Sequence, residues 1–266
     1  MTARFRDRVA IVTGAGCVGP GWGNGRAIAV RLAEEGALVV AVDRDRARLD
    51  ETLARAGTVG CTIEAMCCDV TDSAAVEALM RECATRFGRI DVLVNNVGGS
   101  APGGPVDMSE DVWDAQVDLN LKSVFLGCKH VLPVMERQRR GAIVNIASAS
   151  ALRWTGAAQV AYAATKAAVI QFSRVVAVQY AARGIRVNTV VPGQLHTPMV
   201  EARLATQRAG GDVEALLRAR QARIPLGFMG DGRDTAAAVA FLASDDARFI
   251  TGTEIVVDGA MTARCD

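Results

Sequence analysis

Residues 9–25 read VAIVTGAGCVGPGWGNG, an apolar run followed without a break by a glycine-rich segment. The run Val9–Thr13 has the composition of a strand buried on both faces, and helical spacing begins at Arg26. Glycines between a strand and a helix let backbone amides approach phosphates, and a helix N-terminus favours negative charge. Asn24 is placed to cap this helix through its side-chain oxygen. The segment predicts a dinucleotide phosphate loop; a flexible surface loop is the alternative.

The same alternation of strand and helix continues along the chain. Further predicted strands are residues 37–42, 61–68, 92–95, 142–147, 186–191 and 254–257. Predicted helices are residues 26–35, 46–56, 73–87, 109–138, 159–182 and 234–243. The pattern predicts an α/β fold, a single-domain Rossmann-like doubly wound parallel sheet of about seven strands with helices on both faces. One domain then covers residues 1–266, and the break from Pro192 to Arg233 predicts a small helical substrate flap at about residues 193–232.

Composition and charge exclude several classes of protein. The 266 residues include 30 basic and 29 acidic ones, and a net charge of +1 gives no electrostatic footprint for nucleic acid or an anionic membrane. No apolar run approaches the roughly 20 residues of a membrane span, and the charged start MTARFRDR is not that of a signal peptide. Seven cysteines without a C-x-x-C pair, and two distant histidines, argue against zinc and disulfides. We expect a cytoplasmic protein with reduced cysteines and no metal, nucleic-acid or membrane partner.

An acidic residue at the end of the second predicted strand bears on the choice of coenzyme. A carboxylate at Asp43 accepts the ribose hydroxyls of an adenosine and repels a 2′-phosphate, which favours NAD over NADP. Arg44 and Arg46 are the counter-argument, because a guanidinium there could pair with that phosphate. A helix N-cap is the alternative role for Asp43 and is compatible with the first.

Polar residues also follow the third and fourth strands. Asp69, which precedes Val70, either bonds the adenine amino group or only caps the next helix. Asn95 and Asn96 leave a buried strand ahead of Gly98, and their amides need partners. We expect them to hold neighbouring strands together and to border the cofactor.

A serine, a tyrosine and a lysine carry the candidate chemistry. Tyr162 follows Ser148 by fourteen positions and precedes Lys166 by four, in a segment that reads as helix. Residues four apart share a helix face, so the ammonium can lie beneath the phenol and favour the phenolate. That gives an acid/base usable near neutral pH, while the serine hydroxyl bonds the oxygen that gains charge. Y-x-x-x-K alone is weak, because exposed helices carry such pairs by chance.

Together these motifs resemble the classical short-chain dehydrogenases/reductases over essentially the full chain. The matching pieces are TGAG and GNG, Asp43, CCDV, NNVG, Asn120 in DLNLKSVF, Ser148 in IVNIAS, Tyr162 to Lys166 in YAATK, Val191-Pro192-Gly193 with Thr197-Pro198, and Val257-Asp258-Gly259. Several ordered motifs of this kind are specific together.

The resemblance implies a role for each matching residue. Tyr162 is implied as the general acid/base, Lys166 as the group that lowers its pKa and bonds the nicotinamide ribose, and Ser148 as the group that polarises the substrate oxygen. Asn120 is implied to organise a water that links Lys166 to solvent; an ordinary polar helix residue is the alternative. Thr197 is implied as a nicotinamide-side contact, unless it only caps a following helix. The full cofactor-binding set is Gly14, Gly23, Asn24, Gly25, Asp43, Asp69, Val70, Asn96, Gly98, Tyr162, Lys166, Pro192, Gly193, Leu195 and Thr197.

Two features depart from the family pattern. The glycine motif is longer, because Gly14 to Gly25 spans eleven positions and residues 17–22 hold an insertion. We hypothesise that this longer loop, with Trp22, covers part of the cofactor and slows its exchange. The spacing from Ser148 to Tyr162 is one residue too long, and that from Ser150 is one too short. Ser148 is preferred because it follows the strand directly, which places the extra residue in the loop 153–159.

The implied reaction is NAD(H)-dependent interconversion of a secondary alcohol and a ketone. The alternatives are a 3-hydroxyacyl/3-oxoacyl-type or hydroxy-acid dehydrogenase and, less favoured, a sensor that binds dinucleotide without turning it over. The candidate substrate-binding residues are Ser150, Trp154, Gln159, His196 and Met199. Trp154, Leu195 and Met199 suggest an apolar wall, which favours an apolar alcohol. Arg153, Gln159 and His196 could instead meet a carboxylate or hydroxyls. The family also implies a homotetramer, or a homodimer, built through the helices at 109–138 and 159–182.

Overall fold

The sheet lies at the centre of the computed structural model, which describes residues 3–204 and 210–265. Its strands are β1 Val9–Thr13, β2 Leu38–Asp43, β3 Ile63–Cys67, β4 Val92–Asn95, β5 Gly141–Ile146, β6 Ile185–Pro192 and β7 Glu254–Val257. All neighbours pair in parallel, in the order β3-β2-β1-β4-β5-β6-β7. The order reverses at β1, next to β4, and this confirms the doubly wound, single-domain, Rossmann-like α/β fold.

Helices cover both faces of the sheet. They are α1 Asn24–Glu34, α2 Arg46–Thr58, α3 Ser73–Phe87, α4 Glu110–Val117, α5 Ser123–Gln138, α6 Val160–Tyr180, α7 Val213–Gln221 and α8 Gly232–Ala243. Ile28 of α1 and Val239 of α8 belong to the apolar core on one face, and Val131 of α5 and Val169 of α6 belong to the core on the other. None of the helices within the described ranges is long and apolar enough to cross a membrane.

The two edge strands differ from the expectation of continuous burial. Strands β3 and β7 are largely half-exposed, whereas β1, β4 and β5 are buried throughout. An edge strand has a neighbour on one side only, so fewer helices cover it. Strand β3 is also shorter than the predicted residues 61–68, because only Ile63–Cys67 pairs with β2.

The segment predicted as helical over residues 109–138 is helical from Glu110 to Gln138, but it is not a single α-helix. A π-helical turn, Asp118–Lys122, separates α4 from α5 and contains the fully buried Asn120. The Asn120 amide exchanges two hydrogen bonds with the backbone of Gly99, of 2.9 and 3.1 Å. A tertiary contact of this kind overrides a local helical pattern, and π-turns are frequent at functional sites.

Among its described residues, the segment after β6 contains the α-helix α7 before the chain reaches α8. Part of the flap predicted at about residues 193–232, namely residues 205–209, lies outside the described residues. That this segment forms a helical flap over a substrate remains a prediction.

Candidate functional site

A long cavity runs across the carboxyl ends of the central strands, where parallel α/β sheets bind ligands. The predicted residues among its lining are Gly14, Gly23, Asn24, Gly25, Asp43, Asp69, Val70, Asn96, Gly98, Ser148, Ser150, Gln159, Tyr162, Lys166, Pro192, Gly193, Thr197 and Met199. The structure therefore brings most of the predicted site together in one place.

The glycine-rich loop leaves the first helical amides of α1 open. Helix α1 is preceded by Gly23 as its N-cap, with no side chain capping it. The predicted cap by Asn24 is wrong, because Asn24 is already the first helical residue and its Oδ1 is buried without a hydrogen-bond partner among the described residues. A Cβ at Gly25 would lie 1.9 Å from the Gly14 carbonyl oxygen, so only glycine permits this approach. The arrangement suits a pyrophosphate.

A buried arginine is hydrogen-bonded to the inserted part of this loop, residues 17–22. Arg26 is fully buried, and its Nη1 donates to the carbonyls of Gly21 (2.9 Å) and Gly19 (3.3 Å). The ring of Trp22 lies between two guanidinium groups, with Arg55 at 5.2 Å and Arg233 at 5.8 Å from its centroid. Cation–π contacts and a buried anchor give the insertion a defined position.

The carboxylate of Asp43 lies at the adenosine end of the cavity. Its Oδ2 accepts from the Gly16 amide (3.2 Å) and its Oδ1 from the Asp45 amide (3.1 Å). The cap of α2 is Asp45, so capping is not the role of Asp43. Of the two guanidinium groups expected to oppose NAD, Arg46 pairs with Asp50 at 2.9 Å, whereas Arg44 lines the cavity next to Asp43.

The third strand end leads to a turn rather than a cap. The Asp69 carboxylate accepts from the amide and hydroxyl of Thr71 (2.9 and 2.7 Å), and these bonds hold its pKa below the usual range. Helix α3 is capped by Asp72, so the capping role considered for Asp69 is wrong. Asp69 remains in the lining of the cavity.

The two amides after β4 join strands as expected. Asn95 donates to the Asn145 side chain at 2.9 Å, which ties β4 to β5 inside the core. Asn96 donates to the backbone carbonyls of Thr13 (3.1 Å) and Gly14 (3.0 Å). Asn96 also borders the cavity.

Lys166 is the most strongly perturbed group at the other end of the cavity. Its side chain is 2% exposed, and Nζ donates to the carbonyl oxygen of Ile146 at 2.8 Å. Burial lowers the pKa of Lys166 to about 8, because the ammonium loses its hydration. Nζ lies 5.9 Å from the centroid of the Tyr162 ring, one turn earlier on α6. A buried cation beside a phenol favours the phenolate.

Asn120 stands behind the cavity wall rather than in it. Besides its two bonds to Gly99, its Nδ2 donates to the Gln116 side chain at 3.2 Å. Its side chain thus fixes the loop after β4. These buried contacts do not support the alternative that Asn120 is an ordinary polar residue of a helix. The predicted role through a backbone-bound water stays a prediction.

The two serines have different surroundings. Ser148 directly follows the strand end, and its Oγ accepts from the Ser150 amide at 3.2 Å. The Ser150 hydroxyl is engaged by Gln159 Nε2 (2.7 Å) and lies 3.1 Å from the Thr155 hydroxyl. Ser150 therefore belongs to a side-chain network of its loop, which agrees with the preference for Ser148.

Three predicted residues lie away from the cavity lining. Trp154 is 75% exposed. His196 is bound to Glu201 at 2.7 Å on the surface, where its ring meets a carboxylate of its own chain. The side chain of Leu195 is buried in the protein. Of the apolar wall expected from Trp154, Leu195 and Met199, only Met199 is in the described lining, and His196 is not in it either.

Sequence reasoning missed three polar residues at the same end. Thr155, Gln194 and Arg220 are buried and line the cavity. The carbonyl of Thr155 accepts from Gln194 Nε2 at 2.9 Å, which ties the loop before α6 to the segment after β6. A signal was present for Gln194, since a polar residue directly after a buried strand and Pro192-Gly193 calls for partners.

The chain matches a family model described as enoyl-(acyl carrier protein) reductase over residues 20–262. It is 41% identical over 263 residues to 2-(R)-hydroxypropyl-CoM dehydrogenase of Xanthobacter autotrophicus, covering 97% of this chain and 99% of the relative. It is 36% identical over 258 residues to a 3-oxoacyl-acyl-carrier-protein reductase of Thermotoga maritima, with the same coverage of both chains. A crystal structure from Burkholderia xenovorans, assigned to the short-chain dehydrogenases/reductases, is 65% identical, with a TM-score of 0.96 and 99% of both chains covered.

Proposed function

This chain belongs to the short-chain dehydrogenase/reductase family, and from that premise we propose that it interconverts a secondary alcohol and a ketone with NAD(H), using Tyr162 as general acid/base. The protein is an oxidoreductase, and its family uses nicotinamide dinucleotides. The observation that carries the proposal is the buried Lys166 ammonium beside Tyr162, in one cavity with Ser148 and the glycine-rich loop.

The cavity fits a dinucleotide along its length. The open amides of α1 and the close approach at Gly25 suit the pyrophosphate, and Asp43 suits the adenosine ribose. Asn24 Oδ1, a buried acceptor without a partner among the described residues, adds a polar contact at the same place. When bound, the nicotinamide ring supplies the hydride chemistry; the protein supplies position and electrostatics.

The proton is handled by Tyr162. In oxidation its phenolate oxygen takes the proton of the substrate hydroxyl, and in reduction the phenol returns a proton to the carbonyl oxygen. A phenol ionises near pH 10 in water, and the neighbouring Lys166 cation makes the phenolate available nearer neutrality. Ser148 donates a hydrogen bond to the reacting oxygen throughout. General acid/base help of this sort contributes roughly 10²–10⁴ in rate.

We assign NAD rather than NADP to the adenosine site. A 2′-phosphate beside Asp43 would bring further negative charge, and Arg46 is engaged by Asp50. Arg44, which also lines the cavity, is the remaining counter-argument. Arg48, also in the lining, is paired with Asp45 at 2.8 Å. Asp43→Ser should lower the ratio of kcat/KM for NAD to that for NADP at least tenfold; an unchanged ratio would remove Asp43 as the discriminating group.

A second candidate within the family is a 3-oxoacyl-type or hydroxy-acid dehydrogenase. It is favoured by the Thermotoga relative, named a 3-oxoacyl-acyl-carrier-protein reductase, and by the description of the matching family model. A sensor without turnover is disfavoured, because Ser148, Tyr162 and Lys166 meet in one cavity.

The proposed assembly is a homotetramer. Apolar side chains stand exposed on the helices expected to form its interfaces, with Trp113 and Phe125 on α4 and α5 at 41% and 47%, and Val178 on α6 at 81%. The proposed location is the cytoplasm, in agreement with cysteines that are all free thiols. We also propose that the segment at about 193–232 covers the bound substrate.

The test is the appearance of NADH absorbance with NAD, then NADP, against panels of apolar secondary alcohols and of hydroxy acids at mildly alkaline pH. Tyr162→Phe should lower kcat by roughly 10²–10⁴. Ser148→Ala should nearly abolish turnover, whereas Ser150→Ala should retain most of it. Tight NAD binding by calorimetry with no turnover on any panel would favour the sensor. Loss of turnover in Ser150→Ala but not in Ser148→Ala would overturn the assignment of Ser148.

A further inference from the structure

An arginine forms part of the wall of the reaction cavity. Arg220 lies in the last turn of α7 and, with Leu216, is one of the two buried residues of that helix. Leu216 packs against Val200 in a small apolar cluster. Arg220 is 6% exposed and lines the same cavity as Tyr162. The buried face of α7 thus carries a charged guanidinium in its last turn, where an apolar side chain would be usual.

Hydrogen bonds place this guanidinium at the substrate end of the cavity. Arg220 Nη2 donates to the carbonyl oxygen of Leu195 at 3.2 Å. The preceding residue, Gln194, donates to the Thr155 carbonyl at 2.9 Å, and the Thr155 hydroxyl lies 3.1 Å from that of Ser150. This connected set leads to the loop that carries the catalytic serine and away from the adenosine end.

The acidic residues of the described lining lie at one end only. They are Asp43 and Asp69 at the adenosine end, where Arg44 and Arg48 also line the cavity. At the other end the charged members are Lys166 and Arg220. Arginine stays charged at any working pH, and its planar fork matches a carboxylate with two parallel hydrogen bonds. In a site removed from water the attraction between such groups is strengthened.

Gln194 makes this end of the cavity polar in a second way. Its side chain is 5% exposed, its Nε2 is fixed on Thr155, and its Oε1 is buried without a hydrogen-bond partner among the described residues. A buried acceptor of this kind gains from a ligand that brings a donor. Together Arg220 and Gln194 replace the apolar wall expected from Trp154 and Leu195.

We propose that Arg220 binds a carboxylate of the substrate, so that the reacting compound is a hydroxy acid or the corresponding oxo acid. This inference rests on the proposed function, because the bound carboxylate serves to orient the alcohol carbon toward Tyr162. Met199 and Leu204 line the cavity as well and suit the hydrocarbon between the two ends.

The experiment compares each acid with its uncharged amide of the same shape. The pairs are lactate and lactamide, 3-hydroxybutanoate and 3-hydroxybutanamide, and mandelate and mandelamide. The enzymes are the wild type, Arg220→Met, Arg220→Lys and Arg218→Met. Arg218 lies on the same helix, is exposed and pairs with Glu214, so its variant controls for loss of an arginine from α7. NAD reduction gives kcat/KM, and calorimetry on the enzyme–NADH complex gives the affinity for each acid without turnover.

The wild type and Arg218→Met should prefer the acid of at least one pair. Arg220→Met should lower the acid-to-amide ratio of kcat/KM by roughly 10²–10³-fold, mainly through KM, and Arg220→Lys should restore part of it. A purely structural role of Arg220 would depress acid and amide equally, and that result overturns the proposal. The proposal is also overturned if the wild-type enzyme neither turns over nor binds any of the acids.

The outcomes separate this inference from the proposed function. Turnover of neutral alcohols with no preference for acids would leave the proposed function standing and refute the carboxylate site. Acids that bind the wild-type complex but not Arg220→Met, without any reduction of NAD, would support the carboxylate site while the proposed function fails.

Discussion

Replacing Lys166 by methionine should change how the stability of the protein depends on pH. The amine is buried, and loss of hydration lowers its pKa from the ordinary 10.5 to about 8. In the unfolded chain the ordinary value returns, so between pH 8 and 10.5 the unfolded state binds more protons than the folded state. Stability of the wild type therefore rises with pH across this window, and the cost of the buried ammonium is fully present below it.

The size of this effect follows from the two pKa values. The linkage relation gives a cost of roughly 3 kcal/mol at pH 7 and roughly 1 kcal/mol at pH 10. Lys166→Met removes this dependence. The free energy of unfolding of the variant minus that of the wild type should therefore fall by about 2–3 kcal/mol between pH 7 and pH 10.

Urea unfolding of the protein without coenzyme, followed by circular dichroism at a series of pH values, measures this difference. Protein concentration is held fixed, because any subunit association adds to apparent stability. Lys129→Met removes an exposed amine and controls for the loss of a lysine as such. If the difference between Lys166→Met and the wild type stays constant with pH, the ammonium keeps its hydration inside the cavity, and the argument from burial is refuted.

Two further predictions concern the loops around the site. Arg26→Met should speed the release of NADH, measured by stopped-flow displacement, because the side chain holds the inserted loop; exposed Arg46→Met is the control, and equal release rates would contradict the role of the insertion. Gly156→Ala should lower the free energy of unfolding by roughly 1–2 kcal/mol or more, because φ is +86° and a Cβ would lie 2.4 Å from Arg223 Nη1. In Gly57→Ala the new Cβ meets no atom within 4 Å, and this helical substitution should not destabilise the protein; similar losses in both variants would argue against the strain.

The buried strands could be predicted because a continuous apolar run marks each of them locally. The bounds of β1 and β4 agree with prediction, since their apolar runs end at polar residues, and the bounds of the half-exposed β7 agree as well. The π-helical turn within residues 109–138 was not predicted, for a different reason. Nothing in the local pattern distinguishes Asn120 from another polar helix residue, because its partner is the backbone of Gly99, twenty-one positions earlier.

The cofactor end was predictable for a related reason. A residue at the carboxyl end of a parallel strand must lie on the ligand side of the sheet, so Asp43, Asp69 and Asn96 could be placed from strand ends alone. The predicted cap by Asn24 failed because the start of a helix depends on backbone geometry within an atypical loop, which spacing does not determine.

The substrate end depends on contacts between segments far apart in the sequence. Gln194 meets Thr155 because the segment after β6 packs against the loop before α6, and Arg220 meets Leu195 within that segment. One signal was nevertheless present, since Leu216 and Arg220 are four residues apart and share the inner face of α7. A charged residue on an otherwise apolar face needs a partner or a ligand. The proposed catalytic groups follow β5 and lie on α6, whereas Arg220 and Gln194 come from the segment after β6. We therefore expect substitutions in that segment to change the preferred substrate while leaving the chemistry in place.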